Sequence, residues 1–105
     1  MIKKINWVEE FNKVIEENKL VLVDFWAEWC GPCQMLGPIL EDLDSKGIEW
    51  LVIAKVNVDE NPDLAAHFRV MSIPTMLLVK DWNVIDSSVG VKPVNELEKW
   101  IKSVA

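Results

Sequence analysis

The chain carries two cysteines, Cys30 and Cys33, set two residues apart in the segment Trp29-Cys30-Gly31-Pro32-Cys33. A disulfide between residues this close constrains too short a loop to staple a fold. A structural zinc ion takes four ligands, most often cysteine and histidine. Beyond the pair the chain offers one histidine, His67, and scattered carboxylates, so no metal site is expected. Thiol–disulfide exchange needs only what is present: one thiolate to attack a disulfide, and a second thiol within reach of the mixed disulfide.

The flanking residues say where the pair must sit. Leu20 to Trp26 is a run of β-formers, and Met35, Leu36, Ile39, Leu40 and Leu43 follow the motif at helical spacing. The cysteines therefore lie where a strand ends and a helix begins. An unperturbed cysteine is mostly protonated at neutral pH, whereas unpaired backbone N–H groups and the helix dipole at a helix start favour the thiolate. Cys30, at the helix mouth, is the expected nucleophile, and Cys33, one turn inside, the resolving thiol. Gly31 permits the tight entry, and Pro32 suits a first turn that has no N–H to spare.

The run Val23-Asp24-Phe25-Trp26-Ala27-Glu28-Trp29-Cys30-Gly31-Pro32-Cys33 resembles the active-site segment of the thioredoxin family. The similarity continues through Gly37-Pro38, Lys55-Val56-Asn57-Val58-Asp59, Ile73-Pro74-Thr75 and Val89-Gly90, in the family's order and spacing. The Gly31-Pro32 pair resembles thioredoxin rather than glutaredoxin or disulfide isomerase. This resemblance implies an α/β thioredoxin fold, a central mixed five-stranded sheet flanked by four helices. It implies a protein-disulfide reductase that carries electrons on a Cys30–Cys33 redox-active disulfide. Asp24, which would otherwise read as a solvated edge carboxylate, becomes by resemblance a buried acid assisting proton transfer at Cys33, with Lys55 as its charge partner. Trp29, Gly31, Pro32, Val58, Ile73, Pro74, Val89 and Gly90 become a substrate-binding collar, with a cis bond before Pro74. No cofactor is implied on this chain; NADPH and flavin belong to the partner, a thioredoxin reductase. The other expected partners are diverse disulfide-containing proteins.

Positioning these groups requires a particular order of elements. Residues 2–5 fit a short edge strand, and Trp7, Phe11, Val14 and Ile15 place a helix over 7–17, with Asn6 and Glu9 at capping-box spacing. Residues 20–26 and 50–58 fit central strands, apolar on both faces. The helix after the motif spans 32–46, ends near Gly47, and should kink at Pro38. Asn61 caps a short helix opening at Pro62. Strands over 75–80 and 84–89 flank Asp81-Trp82-Asn83, where Asn83 is expected to supply the positive φ of a loop longer than two residues. A last helix opens at Pro93. The order β-α-β-α-β-α-β-β-α predicts parallel pairs early and an antiparallel hairpin late.

Composition narrows the remaining possibilities. A length of 105 residues fits one domain over 1–105. The net charge is −6, with no basic stripe, so nucleic acid is not an expected partner despite six tryptophans. No apolar run approaches the ~20 residues of a membrane span, and the opening residues do not read as a secretory signal. A cytoplasmic monomer is the expectation. His67 reads as a surface or boundary residue. Trp7, Trp50, Trp82 and Trp100 read as core or rim packing, and the four methionines as core filler or rim contacts. Two residues depart from the family pattern: Gln34 replaces a common basic residue after the second cysteine, and Leu20 a common proline.

Overall fold

The computed structural model describes residues 1–105. The elements are β1 (Ile2–Ile5), α1 (Val8–Glu17), β2 (Leu20–Trp26), α2 (Gly31–Ser45), β3 (Leu51–Asn57), α3 (Pro62–His67), β4 (Thr75–Lys80), β5 (Asn83–Val89) and α4 (Val94–Val104). They build one five-stranded sheet in the order β1-β3-β2-β4-β5. β3 pairs in parallel with β1 and β2, while β4 runs antiparallel to β2 and β5. The mixed five-stranded sheet with four helices that the resemblance implied is present. None of the helices is long and apolar enough to cross a membrane.

Alternation along the central strands divides the core in two. Val21, Val23 and Phe25 of β2, with Val52, Ala54 and Val56 of β3, pack against Phe11, Val14 and Ile15 of α1 and Leu64 of α3. Leu20 and Leu22 of β2, with Leu51 and Ile53 of β3, pack against Leu36, Leu40 and Leu43 of α2 and Leu97 and Ile101 of α4. Burying both faces is why β2 and β3 read as nearly continuous apolar runs. Asp24 and Lys55 fall on the α2 face by the same alternation. Register sets Lys4, Lys55, Asp24 and Met76 side by side across β1, β3, β2 and β4.

Several local expectations change. Helix α1 starts at Val8 with Trp7 as its N-cap, and no side chain caps it. Glu10 rather than Glu9 reaches back, its carboxylate accepting the Asn6 N–H at 2.7 Å. Only half of a capping box forms, one residue later than expected, because Asn6 lies outside the helix. Asn61 does occupy the N-cap of α3, yet its side chain makes no cap. Its amide instead donates to the carbonyls of Ile5 and Asn57, both at 3.2 Å, tying α3 to the ends of two strands. Helix α2 continues through Pro38 without interruption and is followed by Gly47 at φ 68°, a left-handed position suited to glycine.

The β4–β5 hairpin is tighter than expected. Lys80 pairs with Asn83, so Asp81 and Trp82 alone make the turn, at φ 50° and 69°. Positive φ at both central residues is the two-residue geometry whose twist matches the flanking strands. Asn83 therefore begins β5, and its side-chain amide donates to the Asp81 carbonyl at 3.1 Å. Trp82 and Trp7 are exposed rather than packed, whereas Trp50 and Trp100 pack against the α2–α4 core. Met76 fills the core, and Met1, Met35 and Met71 are exposed. His67, at the end of α3, is exposed.

Arg69, in the loop between α3 and β4, holds φ at 54°. A left-handed L-residue costs about 1–2 kcal/mol, of which glycine returns about 0.5–1 kcal/mol through its freer unfolded chain. Arg69→Gly should therefore raise Tm by a few degrees in a thermal melt. An unchanged or lower Tm would show that the arginine side chain compensates for its backbone.

Candidate active site

Cys30 is the N-cap of α2, with extended backbone at φ −90° and ψ 110°. Its Sγ accepts the Cys33 N–H at 3.2 Å, taking up one of the donors that a helix start leaves unpaired. Pro32 occupies the first turn, where no N–H is needed. Cys30 and Cys33 are joined by a disulfide, with Cα atoms 5.2 Å apart. Both are buried, and with Ala27 they form a small third cluster against Trp26, Val58 and Ile73. The pair thus sits beyond the ends of β2 and β3, as the strand-to-helix reading requires.

Separate segments bring the predicted collar together. The Ile73 carbonyl lies 3.8 Å from Cys30 Sγ, and the Ile73–Pro74 peptide bond is cis. Gly90, at φ 93°, donates its N–H to the Pro74 carbonyl at 2.8 Å. This bond fastens the end of β5 to the loop beside the disulfide. Trp29 and Val89 are exposed, as are Gly31 and Pro32, while Val58 and Ile73 are half-buried and Pro74 is buried. The result is an apolar rim around a mostly covered disulfide.

Two supporting contacts are not legible in the sequence. Asp59 Oδ2 accepts the Trp29 indole N–H at 2.8 Å and anchors an otherwise exposed ring. Asp59 is itself placed by Asn57, whose Oδ1 accepts the N–H groups of Asp59 and Glu60 at 2.9 and 3.3 Å. The only sequence signal is Asn57-Val58-Asp59 directly after a central strand. Gln34 stands out in the sequence for its missing charge, yet its side-chain amide donates to the Glu28 carbonyl at 3.1 Å, bracing the loop that leads into Cys30.

Asp24 is 2% exposed, and its Oδ1 has no hydrogen-bond partner. Burial pushes its pKa from 3.8 up to about 7, against the pull of the Lys55 charge. Asp24 and Lys55 are direct neighbours in register. They form no ion pair, however: the ion pairs are Met1 N-terminus–Asp44, Lys46–Glu98 and Lys102–Glu98. The Lys55 ammonium lies instead over the Trp26 ring, 4.6 Å from its centroid. The expected charge partnership acts at a distance. No three His, Cys, Asp or Glu side chains converge where a metal could be held.

A family model, Thioredoxin, matches residues 3–103. The chain belongs to the thioredoxin family. It is 49% identical over 89 residues to the thioredoxin of Chlorobaculum thiosulfatiphilum, covering 85% of this chain and 82% of that protein. To the thioredoxin of Bacillus subtilis it is 50% identical over 82 residues, covering 78% and 79%. A protein of Mycobacterium leprae named bifunctional thioredoxin reductase/thioredoxin is 49% identical over 82 residues, or 78% of this chain and 18% of that protein. Among solved structures, a mutant thioredoxin from Halobacterium salinarum superposes with a TM-score of 0.90 at 36% identity, covering 97% of this chain and 88% of that one. The fold is the thioredoxin fold, and the protein is a thiol–disulfide oxidoreductase with a redox-active cysteine pair.

The environment of Asp24 has a consequence for stability. In the unfolded chain the carboxyl ionises above about 3.8, whereas in the fold it keeps its proton to about 7. Stability due to this group is therefore lost as pH rises from about 4 to about 7 and stays lost above. A difference of one pH unit between the two midpoints corresponds to about 1.4 kcal/mol, so ionised Asp24 costs on the order of 4 kcal/mol. Asp24→Asn should stabilise the protein by an amount of that order in urea melts at pH 8, with the gain shrinking towards pH 4. A gain independent of pH would refute this account.

Proposed function

We propose that the chain is a general protein-disulfide reductase, a 1–105 single-domain electron carrier working in the cytoplasm as a monomer. The observation that supports it most is the buried pair at the α2 N-terminus, with Cys30 as N-cap and its sulfur 3.8 Å from the Ile73 carbonyl. In the reduced protein the Cys30 thiolate, favoured by the helix terminus, attacks a substrate disulfide. A Cys30–substrate bond forms, the substrate S–S bond breaks, and one substrate thiolate leaves. The Asp24 carboxylate takes the Cys33 proton. Cys33 sulfur then attacks Cys30 Sγ, closes the Cys30–Cys33 disulfide and releases the second substrate thiolate. A base with a pKa near the working pH suits this transfer, because it can both accept a proton and give it back.

The collar explains breadth of substrate. Trp29, Gly31, Pro32, Val58, Ile73, Pro74, Val89 and Gly90 offer apolar area and backbone groups, so an extended peptide can dock with little demand on its side chains. Two electrons return from a thioredoxin reductase, whose NADPH and flavin need no site on this chain. The joined name of the Mycobacterium leprae relative supports that partner. Disulfide-containing proteins are the electron acceptors.

Turbidimetric reduction of insulin checks this directly. Cys30→Ser should abolish the rate above that of the chemical reductant alone, and Cys33→Ser should accumulate a mixed disulfide visible on a non-reducing gel. Undiminished reduction by Cys30→Ser would end the proposal.

A further inference from the structure

Asp24 and Lys55 stand opposite each other on adjacent parallel strands, which are about 4.8 Å apart. A lysine side chain is long enough to close that distance, and a buried carboxylate lacking a partner should attract it strongly. Yet Asp24 Oδ1 has no partner, and the ammonium sits 4.6 Å over the Trp26 ring. Reach does not explain this arrangement; competition does. Tryptophan is the ring that attracts a cation best. Trp26 lies on the same face of β2 as Asp24, two residues further along.

We infer that Trp26 is a positioning residue whose indole face holds the Lys55 ammonium away from Asp24, leaving the carboxylate unpaired and free to exchange a proton. The inference rests on the proposed role of Asp24 as acceptor of the Cys33 proton. Few other charges bear on the site. β1 contributes Lys4, exposed and next to Lys55 in register, and β4 contributes the uncharged Met76, next to Asp24. The first ten residues of α2, Gly31 to Leu40, carry no charged side chain, and Cys33 is the one titratable group among them.

The test follows the Asp24 carboxyl by carbon-13 NMR in the oxidised protein, where the cysteines do not titrate. Trp26→Leu removes the ring, so Lys55 should pair with Asp24 and lower its titration midpoint by about one pH unit or more. Adding Lys55→Met should cancel that fall, and Trp26→Phe, which keeps a ring, should hold the midpoint close to wild type. An unchanged midpoint in Trp26→Leu, or a fall that survives Lys55→Met, overturns the inference. The wild-type protein gives an independent check should Trp26→Leu fail to fold. Ring-current shielding should move the Lys55 Hε protons upfield, and ordinary lysine shifts there would overturn the inference as well. The reading of Asp24 is tested separately by the pH profile of mixed-disulfide resolution. If the Asp24 midpoint moves as expected while that profile stays fixed, the positioning role stands and the proton role of Asp24 fails.

Discussion

Burying Asp24 in the middle of β2 is the constraint on which the rest of the structure depends. A carboxylate taken out of water without a partner is costly, and the chain retains it only because the surrounding core is large enough. β2 is central, hydrogen-bonded on one edge to β3 and on the other to β4, and covered on both faces by apolar clusters. An edge position would wet the carboxylate and return it to an ordinary pKa. In the proposed mechanism the two cores on either side of the sheet are therefore as much part of the chemistry as the cysteines.

The site itself is assembled from the ends of elements rather than from any one of them. The β2–α2 junction supplies the disulfide, the end of β3 supplies Val58 and Asp59, the loop before β4 supplies Ile73 and Pro74, and the end of β5 supplies Val89 and Gly90. Parallel pairing of β2 with β3 and antiparallel pairing with β4 bring two strand ends and one strand start to the same edge of the sheet. Single hydrogen bonds then fix the joints, Gly90 N–H to the Pro74 carbonyl and the Trp29 indole to Asp59. Loops carry the contacts while strands fix their spacing, a division common where function sits on a rigid scaffold.

Much of this is legible in the residues. The apolar runs at 20–26 and 50–58 fit central strands and little else, and the cysteine pair after the first run falls at the strand-to-helix junction where the sequence puts it. What stays hidden depends on contacts between residues far apart in sequence. Asn61 has the type and place of a helix cap, but its amide is drawn to the carbonyls of Ile5 and Asn57. Trp82 is an unusual residue for a two-residue turn, yet the twist of β4 and β5 imposes positive φ on it. Lys55 is by resemblance the charge partner of Asp24, but a resemblance does not tell which neighbour its ammonium prefers, and here that is the Trp26 ring. Local propensity proposes an interaction, and tertiary competition decides it.

Gln34 illustrates the same point at the cysteines. Taken as a lost positive charge, it removes support for a thiolate at Cys30. In the fold it braces the Glu28 carbonyl, one step from the Ala27 carbonyl that accepts the Cys30 N–H at 3.3 Å. The first turn of α2 contains no acidic residue, so no carboxylate there opposes negative charge on Cys30 Sγ. In the proposed mechanism the backbone therefore carries the burden, through the Cys33 N–H at 3.2 Å and the helix terminus behind it. A donor fixed within hydrogen-bond distance is screened by salt far less than a mobile surface charge. Replacing charge by bracing makes the nucleophile depend on the geometry of one loop, and Gln34 is part of what holds that loop.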